Sequence, residues 1–187
     1  MPTLTYYTAT TLDGFIADPE DSLAWLFPQE QERDGLFNYD EFFAGIGAVV
    51  MGSTTYEWVL DHQREMVTET GSVWPYRIPT WVMTSRDLAP VAGADVRFAA
   101  GPVATVYDEM AAAAEGKDLW VVGGGDLAGQ FADAGLLDEV ITYVAPVTLG
   151  SGRPLLPRRL ALRLLETGRN GAFVCSRYAV VGPGEWA

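Results

Sequence analysis

Three places in the sequence combine an apolar run with glycine, hydroxyl-bearing or basic residues directly after it. They are Gly52-Ser53-Thr54-Thr55, Thr84-Ser85-Arg86 and Val122-Gly123-Gly124-Gly125-Asp126-Leu127. Where a strand ends and a helix begins, unpaired backbone N–H groups and the positive end of the helix favour bound anions. Glycine permits the close approach of a phosphate, and Ser, Thr and Arg side chains add donors. The three turns therefore predict an anion-binding edge on an α/β sheet.

The glycine-rich turn partly fits a dinucleotide-binding motif. Gly123, Gly125 and Ala128 match the looser spacing G-x-G-x-x-A at a helix start. No acidic residue follows about 20 positions on, where such motifs place the partner of a ribose hydroxyl. The lysine of a P-loop is also absent, which argues against a nucleotide hydrolase. Taken alone, the turn is compatible with a phosphate contact or with a plain structural turn.

Composition excludes several other kinds of chemistry. The 187 residues include one cysteine, Cys175, and one histidine, His62, so we predict no zinc site and no Ser/His/Asp triad. Cys175 lies in an apolar run and is predicted to be buried, whereas His62 is predicted on a surface loop. A net charge of −13 disfavours nucleic acid and membranes as partners. With no signal-peptide pattern and no long apolar run, the sequence predicts a cytoplasmic protein.

Strand-like and helix-like segments alternate along the chain, which predicts one α/β domain over residues 1–187 with a largely parallel sheet. Three segments are predicted to be neither helix nor strand: a long loop at Leu12–Ala24, a surface excursion at Asp61–Thr70 and a final turn at Arg169-Asn170-Gly171. Helices are predicted at Glu30–Phe43, at Thr55–Leu60 with Thr54 and Glu57 forming a capping box, at Pro102 to about Glu115, and at Asp126–Ala134. Strands are predicted at Thr3–Thr11, Gly45–Met51, Thr80–Thr84, Asp95–Ala99, Leu119–Val122 and Glu139–Pro146, with a closing hairpin of Leu160–Thr167 and Ala172–Val181.

The order of several short stretches resembles the dihydrofolate reductase superfamily. The stretches are Thr10-Thr11-Leu12-Asp13-Gly14-Phe15-Ile16-Ala17, Val50-Met51-Gly52-Ser53-Thr54-Thr55-Tyr56-Glu57, Val121-Val122-Gly123-Gly124-Gly125, Ala134-Gly135-Leu136-Leu137-Asp138-Glu139-Val140 and Ala145-Pro146-Val147-Thr148-Leu149-Gly150-Ser151-Gly152. The set looks most similar to the reductase domain of the riboflavin-biosynthesis deaminase–reductase and to its stand-alone relatives. The zinc signature of the deaminase half is absent.

That resemblance implies a three-layer α/β sandwich, with a mostly parallel sheet of about eight strands and a C-terminal antiparallel hairpin. It also implies an NADPH-dependent reductase. The pyrophosphate would meet Gly52, Ser53, Thr54 and Thr55 on one side, and Val122, Gly123, Gly124, Gly125, Asp126 and Leu127 on the nicotinamide side. Thr84, Ser85 and Arg86 would lie near the adenosine ribose and its 2′-phosphate, and Ala9, Ile16 and Ala17 near the nicotinamide.

The resemblance further implies a substrate pocket walled by Asp13, Trp25, Tyr39, Phe42, Phe43 and Tyr56. Asp13 is the first candidate for a polar substrate contact and Asp40 the reserve general acid, with solvent water as a further proton source. From residue types alone, Asp13 could equally cap a turn, and Phe42 and Phe43 are more typical of a core. A small heterocycle with a C=N or C=O group, pyrimidine-like or pterin-like, is the expected substrate.

Two alternatives follow from departures within that resemblance. Ser53 stands where true dihydrofolate reductases usually carry a basic residue, so NADH is an alternative cofactor to NADPH. No acidic residue of the predicted Glu30–Phe43 helix aligns with the pterin-anchoring carboxylate, so a non-catalytic protein that binds a cofactor or metabolite is the alternative function. The expected partners are a small-molecule substrate and a second copy of the chain, which would give a homodimer through the C-terminal strands.

Overall fold

The computed structural model describes residues 1–66 and 74–185 of the chain. The strands are β1 (Leu4–Thr11), β2 (Phe15–Ala17), β3 (Ile46–Gly52), β4 (Thr80–Met83), β5 (Val96–Ala99), β6 (Asp118–Gly123), β7 (Glu139–Ala145), β8 (Arg153–Pro154), β9 (Leu160–Asn170) and β10 (Phe173–Pro183). The helices are α1 (Tyr39–Ala44), α2 (Ser53–Met66), α3 (Val103–Ala113) and α4 (Gly125–Asp133). Within the described ranges, no helix is long and apolar enough to cross a membrane.

Eight strands form one sheet in the order β5-β4-β3-β6-β1-β7-β10-β9. The strands from β5 to β7 pair in parallel, and β10 and β9 add an antiparallel hairpin at one side. Strands β2 and β8 pair with each other in a separate small sheet. This architecture confirms the predicted α/β class, the mostly parallel sheet of eight strands and the C-terminal antiparallel hairpin.

The central strands carry apolar residues on both faces, as expected for a sheet covered by helices on each side. On one face Tyr6, Val50 and Val121 pack with Met110 of α3 and Phe131 of α4. The opposite face is formed by Val49, Met51 and Trp120, together with Tyr56 and Val59 of α2 and the phenylalanines of α1. Cys175 is completely buried, as predicted. This two-sided packing aligns the carboxyl ends of β1, β3 and β6 at one edge.

The predicted helix at Glu30–Phe43 is wrong, because only Tyr39–Ala44 is helical. Residues 30–38 instead run along the surface of the sheet, held by the buried side chain of Asn170. Its Oδ1 accepts a hydrogen bond from the Glu32 N–H at 2.8 Å, and its Nδ2 donates to the Leu36 carbonyl at 3.2 Å. These partners lie more than 130 positions away in the sequence. Local apolar spacing carries no signal of such contacts.

Three smaller corrections concern the segments around α1 and α2. The predicted loop at Leu12–Ala24 contains strand β2. Helix α2 begins at Ser53 and extends to Met66, beyond the predicted Thr55–Leu60. His62 therefore lies on a helix rather than a loop, with its ring stacked on Trp58 at a centroid distance of 3.7 Å. Of the excursion predicted at Asp61–Thr70, positions 61–66 belong to α2 and the remainder lies outside the described residues.

Candidate cofactor site

A cavity of about 560 Å³ opens at the carboxyl edge of the parallel strands. It brings together twelve of the residues predicted to bind a cofactor, from three separate stretches of the chain. These are Ile16, Ala17, Gly52, Ser53, Thr54, Thr55, Val122, Gly123, Gly124, Gly125, Asp126 and Leu127. The cavity size falls within the usual range for small-molecule and cofactor sites.

The first wall of the cavity is the junction of β3 and α2. The strand ends at Gly52 and the helix begins at Ser53, with no acidic residue in its first turn. The open N–H groups of this turn and the hydroxyls of Ser53, Thr54 and Thr55 therefore offer donors to an anion. The predicted capping box does not form, because the helix starts before Thr54 and the Glu57 carboxylate binds Arg86 instead.

The second wall is the glycine-rich turn between β6 and α4, where the Gly123–Gly124 peptide bond is cis. A Cβ on Gly125 would collide with the backbone carbonyl oxygens of Pro154 and Leu155, so only glycine lets this turn pack against the segment that contains β8. Next to it, a Cβ on Gly124 would meet only Ile16 Cδ1 at 3.9 Å. The two turns thus form an open cradle that suits the pyrophosphate of a dinucleotide.

One acidic residue lies at this cradle. Asp126, in the first turn of α4, accepts a hydrogen bond from Gln130 Nε2 at 2.9 Å and from Arg158 Nη2 at 3.0 Å. These two bonds lower the pKa of Asp126 below its usual value. Arg158 also contacts Asp133, near the end of the same helix, at 2.7 Å. The guanidinium therefore offsets an anionic charge that would otherwise repel a phosphate.

The remaining residues that line the cavity were not predicted from the sequence. It comprises Thr8, Asp21, Leu23, Trp58, Met83, Gln130, Arg153 and Pro154. Arg153 reaches the cavity because β8 pairs with β2, and its Nε lies 2.6 Å from Asp21 Oδ1. The glycines of Leu149-Gly150-Ser151-Gly152 mark the preceding turn, but no local pattern shows which strand β8 joins.

The other residues predicted to bind the cofactor, Ala9, Thr84, Ser85 and Arg86, are not among those lining the cavity. Thr84, Ser85 and Arg86 directly follow Met83, which does line it. The Arg86 guanidinium is paired with the Glu57 carboxylate, with Nη2 at 2.6 Å from Oε2. The backbone N–H of Arg86 donates to Thr84 Oγ1 at 2.9 Å.

Neither predicted catalytic carboxylate lies at the cavity. Asp13 accepts a hydrogen bond from Thr11 Oγ1 at 2.5 Å and from the backbone N–H groups of Leu149 and Gly150 at 3.0 and 2.7 Å. The Thr11 hydroxyl, and then these N–H groups, lower the pKa of Asp13 below its usual value. Asp40 is exposed and forms an ion pair with Arg33 at 3.0 Å. Asp13 thus lies in a surface turn after β1, and Asp40 lies in the first turn of α1.

The five aromatic residues predicted to wall a substrate pocket are not among those lining the cavity, and each packs against neighbouring rings or apolar side chains. Tyr56 is 1% exposed, and its hydroxyl donates to the Ala89 carbonyl at 2.8 Å. Tyr39, Phe42 and Phe43 surround Trp120 at centroid distances of 5.9, 5.6 and 6.3 Å. Trp25 packs in a cluster with Tyr143 and Phe173. The short helix α1 lies directly on the sheet and fills this space with rings.

Residues 2–171 match the RibD C-terminal domain. The chain belongs to this family, whose members are NADPH-dependent reductases. The resemblance inferred from the ordered sequence motifs is therefore confirmed.

Two relatives and two solved structures illustrate the match. The uncharacterized protein YwjB of Bacillus subtilis (strain 168) is 31% identical over 175 residues, which cover 92% of this chain and 94% of YwjB. The riboflavin biosynthesis protein RibD of Corynebacterium ammoniagenes is 28% identical over 186 residues, and this RibD C-terminal domain chain spans about half (52%) of its length.

The first structure is that of a Shewanella sp. PV-4 protein assigned to riboflavin biosynthesis. It superposes with a TM-score of 0.77 at 23% identity, covering 95% of this chain and 98% of that one. Dihydrofolate reductase from Enterococcus faecalis, solved with NADP(H), superposes with a TM-score of 0.53 at 17% identity over 96% of both chains. At these identities the two structures establish the shared fold.

Proposed function

We propose that this RibD C-terminal domain protein is a reductase that uses NAD(P)H to deliver hydride to a C=N or C=O group of a small heterocycle, pyrimidine-like or pterin-like. One observation carries the proposal: the cavity places two strand–helix junctions, at Ser53 and Gly124, beside the apolar residues Ile16 and Ala17. Two helix starts suit a pyrophosphate, and an apolar end suits the nicotinamide ring.

When bound, the cofactor supplies the hydride. The chain contributes binding and orientation. Ser53, Thr54 and Thr55 would hold the pyrophosphate through their hydroxyls and N–H groups, and the backbone of Gly124 and Gly125 would hold it from the other wall of the cavity. Ile16, Ala17 and Leu23 would give the nicotinamide ring apolar surface to pack against.

The proton is proposed to come from solvent water. Among the described residues lining the cavity, the acids are Asp21 and Asp126, and each is bonded to an arginine. The hydrogen bonds from Gln130 and Arg158 lower the pKa of Asp126, which makes this carboxyl a poor proton donor at neutral pH. On this proposal, Asp13 and Asp40 act away from the reacting atoms.

The pairing of both cavity acids also favours a second candidate function, a protein that binds NAD(P)H or a metabolite without turnover. The two functions share the cofactor site and differ in reaction. Oxidation of NADPH in the presence of a reducible pyrimidine or pterin would identify the reductase. Tight binding of NADPH without oxidation across both substrate classes would identify the binding protein.

Titration of the intrinsic tryptophan fluorescence with NADPH and with NADH tests the cofactor site itself, because Trp58 lines the cavity. We expect saturable quenching by at least one of the two. A Ser53→Asp variant places a charge at the first turn of α2 and is expected to abolish it. Leu12→Asp, which adds the same charge at an exposed position, is the control. Absence of binding by either cofactor at millimolar concentration would overturn the proposal.

We further propose that the protein acts in the cytoplasm as a homodimer. The edge strand β9 has eleven residues, and exposed apolar side chains lie along the β9–β10 hairpin: Leu162, Leu164, Leu165, Val174 and Val181. A long unpaired edge with exposed leucines favours pairing with another strand, and a second copy offers the same edge.

A further inference from the structure

An ion pair that the proposed function does not use lies next to the end of the cavity near Met83. Arg86 follows β4, and its guanidinium reaches the Glu57 carboxylate on α2 through two contacts, of 3.3 and 2.6 Å. The two side chains are 51% and 46% exposed. Glu57 lies two positions after Thr55, which lines the cavity. A carboxylate and a guanidinium thus stand together beside the predicted anion-binding turns.

The position of the pair indicates which part of a dinucleotide it faces. If the pyrophosphate binds between Ser53 and Gly124, one nucleoside extends toward Ile16 and Ala17 and the other toward Met83. The apolar end suits the nicotinamide, so the adenosine ribose lies at the Met83 end. Its 2′ substituent, a hydroxyl in NADH or a phosphate in NADPH, then comes close to residues 84–86.

We propose that Glu57 is a specificity-determining residue that lowers the preference of this protein for NADPH over NADH. The proposal rests on the proposed cofactor site. A phosphate monoester carries a charge of about −1.5 to −2 at neutral pH, so it attracts Arg86 and is repelled by Glu57. The ribose hydroxyl of NADH is neutral, so Glu57 does not repel it, and a carboxylate or an amide oxygen at this position can accept its hydrogen bond. Glu57 therefore reduces only the affinity for the phosphorylated cofactor.

The exposure of the Glu57–Arg86 ion pair indicates that removing the charge of Glu57 strengthens the binding of NADPH. An ion pair between half-exposed side chains is weak, so a phosphate can displace the carboxylate from Arg86. After displacement, Glu57 remains anchored on α2 next to the Arg86 that binds the phosphate, so the two negative charges repel each other. Removing the charge of Glu57 leaves Arg86 free and eliminates that repulsion, so both changes act in the same direction.

The test is to measure the dissociation constants of NADPH and NADH by fluorescence titration, for the wild-type chain and for Glu57→Gln. We expect Glu57→Gln to lower the dissociation constant of NADPH by about three- to tenfold while that of NADH stays within about twofold. Arg86→Gln is expected to raise the dissociation constant of NADPH alone. The gain in Glu57→Gln should shrink at 1 M salt, where the screening length is about 3 Å.

Two control variants separate charge from structure. Glu57→Asp keeps the charge and should keep a wild-type ratio of affinities. Glu166→Gln removes a charge on β9, six strands away from β4 in the sheet, and should change neither affinity. An equal change for both cofactors, or an unchanged ratio in Glu57→Gln, would overturn the role of Glu57 while leaving the reductase proposal intact. Failure of the wild-type chain to bind either cofactor would overturn both.

Discussion

At the scale of single residues, Asp13 shows how a carboxylate can stabilise a fold near a site without acting in it. Its three donors join the end of β1 to the turn at Leu149 and Gly150. That turn leads into β8, whose Arg153 lines the cavity. The hydrogen bonds favour the ionised form and lower the pKa of Asp13. A general acid that operates near neutral pH needs the opposite shift.

The pH dependence of stability distinguishes these roles. Because the pKa of Asp13 is lowered on folding, its stabilisation is present above its ordinary pKa, about 3.9, and is lost as the pH falls through the lower value of the folded state. We expect Asp13→Asn to lower the Tm by an amount that is constant between about pH 8 and pH 5 and that shrinks below about pH 4. A Tm difference between the wild-type chain and Asp13→Asn that disappears between about pH 6 and pH 7 would instead show that the pKa of Asp13 is raised.

Asn170 is the buried polar residue on which the segment before α1 depends. It is fully buried, and its amide bonds to Glu32, Leu36 and the Tyr143 hydroxyl. We expect Asn170→Ala to cost about 2–3 kcal/mol of unfolding free energy, because it leaves these partners unsatisfied. For a chain of this size that corresponds to a fall in Tm of about 4–12 °C. Arg169→Ala, at the exposed neighbouring position, should change the Tm by much less.

At the scale of elements, the cofactor cradle depends on how closely α4 approaches the segment containing β8. A Cβ at Gly125 would meet backbone carbonyls, which cannot rotate away as a flexible side chain can. We expect Gly125→Ala to separate these two elements, lower the Tm and weaken NADPH binding by at least about tenfold. Gly45→Ala is the matched control, because its Cβ would find only the Phe42 carbonyl at an ordinary 3.5 Å. Equal effects in the two variants would contradict this account.

Arg158 affects the same helix, α4, through its charge. It bonds to an acid near each end of α4, and one of them, Asp126, lines the cavity. We expect Arg158→Gln to weaken the binding of NADPH and NADH alike by about three- to tenfold, since the pyrophosphate common to both would face an uncompensated carboxylate. The double variant Arg158→Gln/Asp126→Asn should recover most of the affinity. Lack of recovery would indicate that Arg158 acts by holding its own segment of the chain against α4 rather than by its charge.

Sequence patterns correctly predicted the elements that a local apolar run defines. They failed where contacts with residues distant in the sequence determine the conformation. The strand β3 is a continuous apolar run between glycines, and its position followed directly from that run. The segment 30–38 has helical apolar spacing, yet Asn170 and Gly171 hold it in an irregular path. Likewise, the anion-binding turns were visible locally, whereas Arg153 reaches the cavity only through the pairing of β2 with β8.

At the scale of the whole molecule, the net charge of −13 limits how copies can associate. Two such chains repel each other at long range, so a homodimer requires a contact whose apolar burial offsets this repulsion. The exposed side chains on the β9–β10 hairpin supply apolar surface, with Leu164 53% exposed and Val174 56% exposed. The other edge strand, β5, has only four residues and offers a much shorter template.

Light scattering of variants with equal charge tests the dimer. We expect the wild-type chain to have twice the monomer mass and Leu164→Lys to shift it to the monomer, because a buried lysine at the contact is strongly unfavourable. Leu12→Lys adds the same charge at a position that is 70% exposed and that follows β1, three strands from β9 in the sheet, and it should remain dimeric. Salt should strengthen the wild-type dimer by screening the repulsion between the two acidic copies. A monomeric wild-type chain at all salt concentrations would contradict the proposed homodimer.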